Sequence, residues 1–491
     1  MSSTDKSALR FVEEQTAGTT PANPIFETLP FLSSNTFGAN PTKEASKVIT
    51  PTRGVKDLVL LSTESKADFQ APMVMMTMDK HQQAAFMARF TNKPTIFNLA
   101  ADTQITGVVS ADSKFTVASG GGAFLAGHII KTSGFTNSAN NGVFLIGSSA
   151  SGYVVVTALD GSSVTLTNES SPPYAAQIKV VGYQCGSDDI NASSSGLTST
   201  TLDFTTLGLA VGERIKIGGS ASGNKFTTAA NNDFCRISAI ASHSLTFDIL
   251  PSGWTAENST GSKELQIFLG DVLRDGSTII TFTGEKSFND RSPVEYTYVT
   301  GLYVDTFQIE FKSKSVSNVS VSMSGQVSSA TTTRISGAST YNYSYTQPLN
   351  SSNNVAFLRE GSSPIDSPNF VTGVTLSIAN NLSTVIPVGS PFATNATLGK
   401  CTVTGTLSMY TGNNTYITKI LDNDEGNLTM GLTDLMNHYY IYEMPRVGYL
   451  GGSEAIPGEN QQVTLDAKIQ ALEHPTLGYT IQLQRFLYIP S

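Results

Sequence analysis

A chain of 491 residues is too long for one ordinary domain, and its 14% of charged residues is well below the usual quarter, with Ser, Thr, Asn and Gly filling the gap, a β-rich composition. The formal net charge of -9 excludes a protein that grips nucleic acid with clustered Lys and Arg, though not one that DNA slides past. Cys185, Cys235 and Cys401 are too few and too widely spaced for a disulfide framework or a metal pair, no apolar signal core opens the chain, and no apolar run reaches the ~18 residues of a membrane span. These features read as a protein assembled in a reducing cytosol, without membrane insertion.

Residues 1–25 are polar apart from Leu9 to Val12 and carry Pro21 and Pro24, which predicts an extended arm free to lie on a neighbouring subunit. A strand, a Pro-containing loop from Asn40 to Arg53, and strands over Val55 to Ser62 and Phe69 to Met76 follow. Asp79 is placed to cap a helix from Lys80 to Phe90 that ends near Asn92, before Pro94.

Residues 105–268 contain an internal repeat. Phe124 to Gly134 followed by Asn140, Asn141, Gly142 and Phe144 is matched by Leu209 to Gly219 followed by Asn231, Asn232, Asp233 and Phe234. Each copy continues into a short strand, Tyr153 to Thr157 or Ser244 to Asp248, and closes on another, Ala176 to Val181 or Glu264 to Phe268. Two copies of this size predict two small β-barrels or sandwiches in tandem, inserted into another domain.

Beyond the insert, alternation sets Phe307, Ile309 and Phe311 on one face and Thr306, Gln308, Glu310 and Lys312 on the other, and does the same for Val319, Val321 and Met323 against Ser320, Ser322 and Ser324. Residues 327–350 read as a linker. Strands are predicted over Val371 to Ala379, Cys401 to Tyr410 and Gln462 to Gln470, with helices at Thr415 to Leu421 and Leu432 to Met436. Leu29 to Phe90 and Phe370 to Leu421 share one order of elements, so one fold used twice is expected, its first copy split by the insert. The domain reading is 1–104, first module with arm; 105–268, insert; 269–349, completion and linker; 350–491, second module.

Motifs for chemistry are missing. His81, His128, His243, His438 and His474 form no metal spacing and read as exposed or hydrogen-bonded structural histidines. No nucleophile elbow, phosphate loop or dinucleotide fingerprint occurs. Asp422 to Gly426 fails the calcium-loop pattern, which requires an oxygen ligand where Gly426 stands and a carboxylate where Thr433 stands. The reading is a non-enzyme with no catalytic residues, no cofactor and no metal.

The ends of the chain resemble the major tail tube proteins of siphophages, the phages with long non-contractile tails. The resemblance rests on Leu9-Arg10-Phe11-Val12-Glu13-Glu14 followed by Gly18-Thr19-Thr20-Pro21, on Asp57-Leu58-Val59, on Val371-Thr372-Gly373 with Asn380-Asn381-Leu382, on Gly399 to Tyr410, on Met444-Pro445-Arg446-Val447, and on Gly478 to Phe486. It covers roughly residues 8–100 and 272–489 and lies in order and spacing rather than in one motif. It implies a tail-tube-type β-sandwich or barrel with flanking helices, whose strands join those of neighbouring copies around a DNA conduit. It also implies trimeric pseudo-sixfold or hexameric rings stacked helically, a tape measure protein and DNA in the lumen without specific binding, other tail proteins at the tube ends, and a place in the virion tail after assembly in the host cytoplasm. Candidate lumen-facing residues are Gln308, Glu310, Thr404, Thr406, Thr464 and Asp466. Candidates for an inter-ring loop are Asn40, Lys43, Lys47 and Arg53. The insert is expected outside the tube. The competing reading is a phage or cell-surface adhesin with glycan-binding tandem β-domains.

Overall fold

Period-two alternation governs most of the chain, and the computed structural model, which describes residues 3–49, 51, 54–98, 104–343 and 347–490, is correspondingly mainly β, with two α-helices among those residues. Strand β1 (Ser7–Glu13) corrects the expectation of a free arm. It pairs along its length with residues 282–288 and buries Leu9 and Phe11 in the main core. The turn after it is fixed by Glu14, which accepts hydrogen bonds from the Gly18 and Gly301 amides and from the hydroxyls of Thr281 and Thr283. Strand β2 (Ile25–Thr28) then returns against β1.

Strands β3 (Ser33–Ala45) and β4 (Leu58–Pro72) form one long hairpin, so the expected loop from Asn40 is still strand as far as Ala45. Helix α1 (Asp79–Phe86) stops sooner than expected because Met87 turns into the left-handed region at φ 50°. Asp79 does not cap it; its carboxylate takes the Tyr440 hydroxyl and the Arg485 guanidinium instead.

The insert forms a sheet of its own from strands β5 (Thr95–Phe97), β6 (Ile105–Val109), β7 (Lys114–Val117), β8 (His128–Ser133), β9 (Gly142–Ala150), β10 (Tyr153–Thr157), β11 (Gln177–Gln184), β12 (Asn191–Ser193), β13 (Gly196–Thr198), β14 (Arg214–Ile217), β15 (Phe234–Ala241), β16 (Ser244–Ile249) and β17 (Gln266–Leu269). Its two repeats have separate cores, one around Phe115 and Val154, the other around Ile215 and Leu245. They are not two closed barrels, because β11 pairs with β17 and makes the sheet continuous.

The repeat persists at the level of single hydrogen bonds. Asn140 and Asn231 are wholly buried and donate to the carbonyls of Thr167 and Thr255 and to the carboxylates of Glu169 and Glu257. Asn141 and Asn232 each bond both backbone groups of an aromatic six residues earlier, Phe135 and Phe226. Two adjacent amides, of Thr136 and Asn137 or of Thr227 and Thr228, reach Glu169 or Glu257.

After the insert come β18 (Asp271–Arg274), β19 (Thr281–Phe288), β20 (Glu295–Lys312), β21 (Asn318–Gly325), β22 (Val327–Thr331) and β23 (Ser339–Asn342). The last two replace part of the expected linker; β22 pairs with β20, and β23 runs parallel to β2. Strands β24 (Val355–Glu360), β25 (Ser363–Pro364), β26 (Phe370–Ala379), β27 (Ser383–Val385), β28 (Asn395–Thr397) and β29 (Thr402–Tyr410) lead to helix α2 (Thr415–Asp422). Strands β30 (Glu425–Thr433), β31 (Tyr439–Gly451), β32 (Glu454–Ala455), β33 (Thr464–Ala471) and β34 (Gln482–Phe486) complete the chain. The helix expected at Leu432 to Met436 is absent, since Leu432 and Thr433 end β30 opposite Tyr440 and Tyr439.

The order β1, β3, β4, α1, β19, β20, β21 recurs as β24, β26, β29, α2, β30, β31, β33, with the same pairings. Irregularities recur too. The register shift between Phe282 and Gly284 is matched between Gly426 and Leu428, and that between Val304 and Thr306 between Tyr449 and Gly451. Bulges re-aim strands at set points, so matched bulges identify matched positions. In both halves a long strand, β20 or β31, spends its first part in an outer layer and its second part in an inner one, with a single core between the layers. Among the described residues none of the sheets closes into a barrel within the chain.

Candidate functional site

The inner layer joins both halves into one sheet of eight strands, β3, β4, β21, β20, β26, β29, β33 and β31 in order. Alternation gives it one apolar and one polar face. Phe69, Phe307, Ile309, Val321, Ile378, Leu407 and Ala467 point into the core. On the other face the register sets Gln308 beside Ser377, Ser377 beside Thr404 and Thr404 beside Gln470. A neighbouring row runs from Glu310 through Thr375 and Thr406 to Lys468. Asp466 and Thr464 continue the same face of β33, so all six residues expected to face a lumen share one surface of one sheet.

That surface offers hydroxyls, amides and locally offset charges. Ser408 and Ser322 donate to Asp466 and Asp68 at 2.5 and 2.7 Å. Lys66 and Lys312 lie 3.2 and 2.5 Å from Glu64 and Glu310 on the same strands. Lysines held by carboxylates present a weaker field to a passing phosphate than bare ones.

The β3–β4 hairpin projects beyond this sheet. Asn40 and Lys43 sit on β3, opposite Glu64 and Leu60, and Lys47 lies past the strand end beside Glu44 at 2.5 Å. Arg53 falls outside the described residues. Around them Val48, Ile49, Val55 and Leu58 to Leu61 are exposed, Ile49 almost completely at 98%. The resemblance singles out this loop by position, and the apolar run marks it more strongly, because a strand apolar on both faces reads as one covered on both faces.

Residues 249–471 match the family model described as phage tail tube protein. Over that stretch the chain is similar to phage tail tube proteins. No curated protein matches the chain. The matched stretch runs from the end of the insert through β33 and carries six of the eight inner strands. That likeness supports a structural role in a phage tail tube, and with it self-assembly alongside other tail proteins and a place in the virion tail.

The insert is locked to the outer layer of the protein by buried charge. Glu443 on β31 receives Arg214 in a two-point contact at 2.9 and 3.0 Å and Arg236 at 2.9 Å, while Arg236 also holds Asp248. Burial works against the charge on Arg236, but Asp248 and Glu443 outweigh it and raise its pKa. Nearby, Lys179 lies 2.7 Å from Asp271, which also takes Arg485; burial leads in bringing Lys179 down to about 8. Lys93 and Glu213 make a third buried pair at 2.8 Å. Between these ion pairs Ile129, Val181, Phe234 and Phe268 of the insert pack on Ile441, Phe486 and Leu487.

The layers therefore follow in order: insert, outer sheet, main core, inner sheet, polar face. Sequence reading missed this junction because its central charges, Arg214 and Arg236 against Glu443, are more than 200 residues apart in the chain. Among the described residues no His, Cys, Asp and Glu side chains gather as a metal site requires, and no helix is long and apolar enough to cross a membrane.

Proposed function

We propose that three copies of this chain close a ring, each contributing two tube modules, and that rings stack helically into the hollow tail of a siphophage through which genomic DNA passes to the host. The observation that carries this reading is the single eight-stranded sheet with a continuous polar face and the recurrence of one module within it. Six modules per ring from three chains follow if the modules are equivalent by position, with heterologous contacts that close.

The polar face is the channel wall in this reading. Its hydroxyls and amides, with Lys66 and Lys312 held by carboxylates, give a polyanion little that binds strongly. The order of layers then sets the insert on the outside of the tube, with the core between it and the channel. The hairpin tip around Val48 and Ile49 is the contact to the adjacent ring, since so much exposed apolar surface marks an interaction site.

Electron microscopy of the concentrated purified protein tests the proposal. Hollow tubes or rings with a central channel are expected. Protein that stays monomeric across salt and pH while binding glycan would replace this reading with that of an adhesin.

A further inference from the structure

The seam between the two modules lies inside the chain, where its register can be read. Strand β20 pairs antiparallel with β26, with Thr306 opposite Ala379, Ile309 opposite Leu376 and Glu310 opposite Thr375. The counterparts of these two strands at the ends of the inner sheet have no such partner. Among the described residues β3 pairs only with β4, and β32, which continues β31 after its bulge, pairs only with β33.

Position-by-position equivalence fixes what the open edges correspond to. Val304 and Thr306 flank the bulge of β20 against β21, and Tyr449 and Gly451 flank that of β31 against β33, so Thr306 corresponds to Gly451. Past the bulge Ile309 lies opposite Val319, and Glu454 opposite Leu465; Glu310 lies opposite Asn318, and Ala455 opposite Thr464. On the receiving side Leu376 and Thr375 face Gly405 and Thr406, as Phe37 and Thr36 face Ala67 and Asp68.

We propose that the β3 edge of one copy receives residues 451–455 of the next copy in the register of the internal seam, with Thr36 opposite Ala455, Phe37 opposite Glu454 and Asn40 opposite Gly451. This inference rests on the ring assembly proposed above and names the surfaces that close it. An open edge pairs readily with another chain, and here its partner has a template within the same molecule.

Side-chain burial carries the same message. Phe311, the residue after Glu310, is 3% exposed within the internal seam, whereas its counterpart Ile456 is 84% exposed. An isoleucine held so openly beside a free strand edge has the position of a core residue whose other half belongs to a second copy.

Cysteine pairing tests the register in assembled protein, in a Cys401→Ser background. The internal pair Glu310→Cys with Thr375→Cys calibrates oxidation, because it bridges within one chain. Thr36→Cys with Ala455→Cys, both at partly or fully exposed positions, is expected to link each copy to the next, so that non-reducing electrophoresis shows a band of three chains that reduction collapses. Asn40→Cys with Ala455→Cys, four residues out of register, is expected to remain at one chain.

Rings or tubes in which Thr36→Cys with Ala455→Cys stays single, under oxidation that fully bridges the internal pair, would overturn the proposed register, as would preferential bridging of the out-of-register pair. Failure of the unmodified protein to form rings, seen by microscopy before any cysteine is introduced, would instead remove the ring reading and this inference with it.

Discussion

Arg214 of the insert and Glu443 of β31 form a two-point ion pair, Nε to Oε2 at 3.0 Å and Nη2 to Oε1 at 2.9 Å, with both side chains fully shielded from solvent. The pair lies where the insert meets the outer layer, so it couples the stability of two regions that the sequence keeps apart. Removing one partner of a buried pair leaves the other charged and uncompensated, at a cost of roughly 3–5 kcal/mol.

Glu443→Ala, which strands Arg214 and leaves Arg236 with Asp248 alone, is therefore expected to lower the unfolding free energy by about that amount. Asp248→Ala should cost clearly less, because Asp248 is 36% exposed and Arg236 keeps Glu443. Urea denaturation followed by tryptophan fluorescence is a suitable probe, since the single Trp254 lies in the insert. Equal losses in the two variants would mean that the junction does not depend on Glu443.

His81 supplies a pH dependence. It is buried among Phe11, Phe69 and Phe282, with neither ring nitrogen hydrogen-bonded, and burial first and Lys80 second bring its pKa down to about 3. The unfolded chain takes up this proton below about pH 6.5 and the folded chain does not, so stability falls with pH between those two values. The expected loss is about 1.4 kcal/mol per pH unit, or ~2 kcal/mol by pH 5. His81→Phe should lack this part of the slope when urea midpoints are compared at pH 7 and pH 5. A slope unchanged by the substitution would show that His81 takes no part in it.

The paired asparagines of the insert give a matched experiment. Asn140→Ala and Asn231→Ala each leave a buried backbone carbonyl and a carboxylate short of a donor, a cost of ~1–3 kcal/mol. Hydrogen exchange is expected to rise around 135–141 and 167–169 in the first variant and around 226–232 and 255–257 in the second. Spreading of either effect across both repeats would contradict their separate cores.

The sequence was informative wherever one face of a strand is buried. Phe307 to Phe311, Val319 to Met323 and Thr402 to Ser408 alternate as read, and the paired Asn of each repeat marked equivalent positions before any contact was known. It misled where a side chain's partner is remote. Asp79 had the local look of a helix cap, yet its carboxylate is held by Tyr440 and Arg485. The first 25 residues looked too polar for a core, but two residues, Leu9 and Phe11, suffice to bury β1 once β19 pairs with it. His81 was expected to be exposed or hydrogen-bonded and is neither, because the rings that enclose it come from β1, β4 and β19. The six residues expected to face a lumen fell on one face because alternation within a strand and register between strands reinforce each other.

The hairpin tip separates ring formation from stacking. If Val48 and Ile49 meet the adjacent ring, Val48→Asp with Ile49→Asp should leave isolated rings intact while abolishing tubes, because a carboxylate at each site would have to be desolvated on stacking. Sedimentation and negative-stain images of variant and unmodified protein distinguish the outcomes. Tubes of normal length would remove the tip from the ring-to-ring contact.

The most direct measurement is a cryo-electron microscopy reconstruction of the assembled tube in cross-section. The expected result is a ring of three chains, with Gln308 and Thr404 on the channel wall and the insert projecting outward. Six chains per ring would contradict the ring of paired modules, and a channel lined by any other face of the chain would show that the inner sheet is not the conduit proposed here.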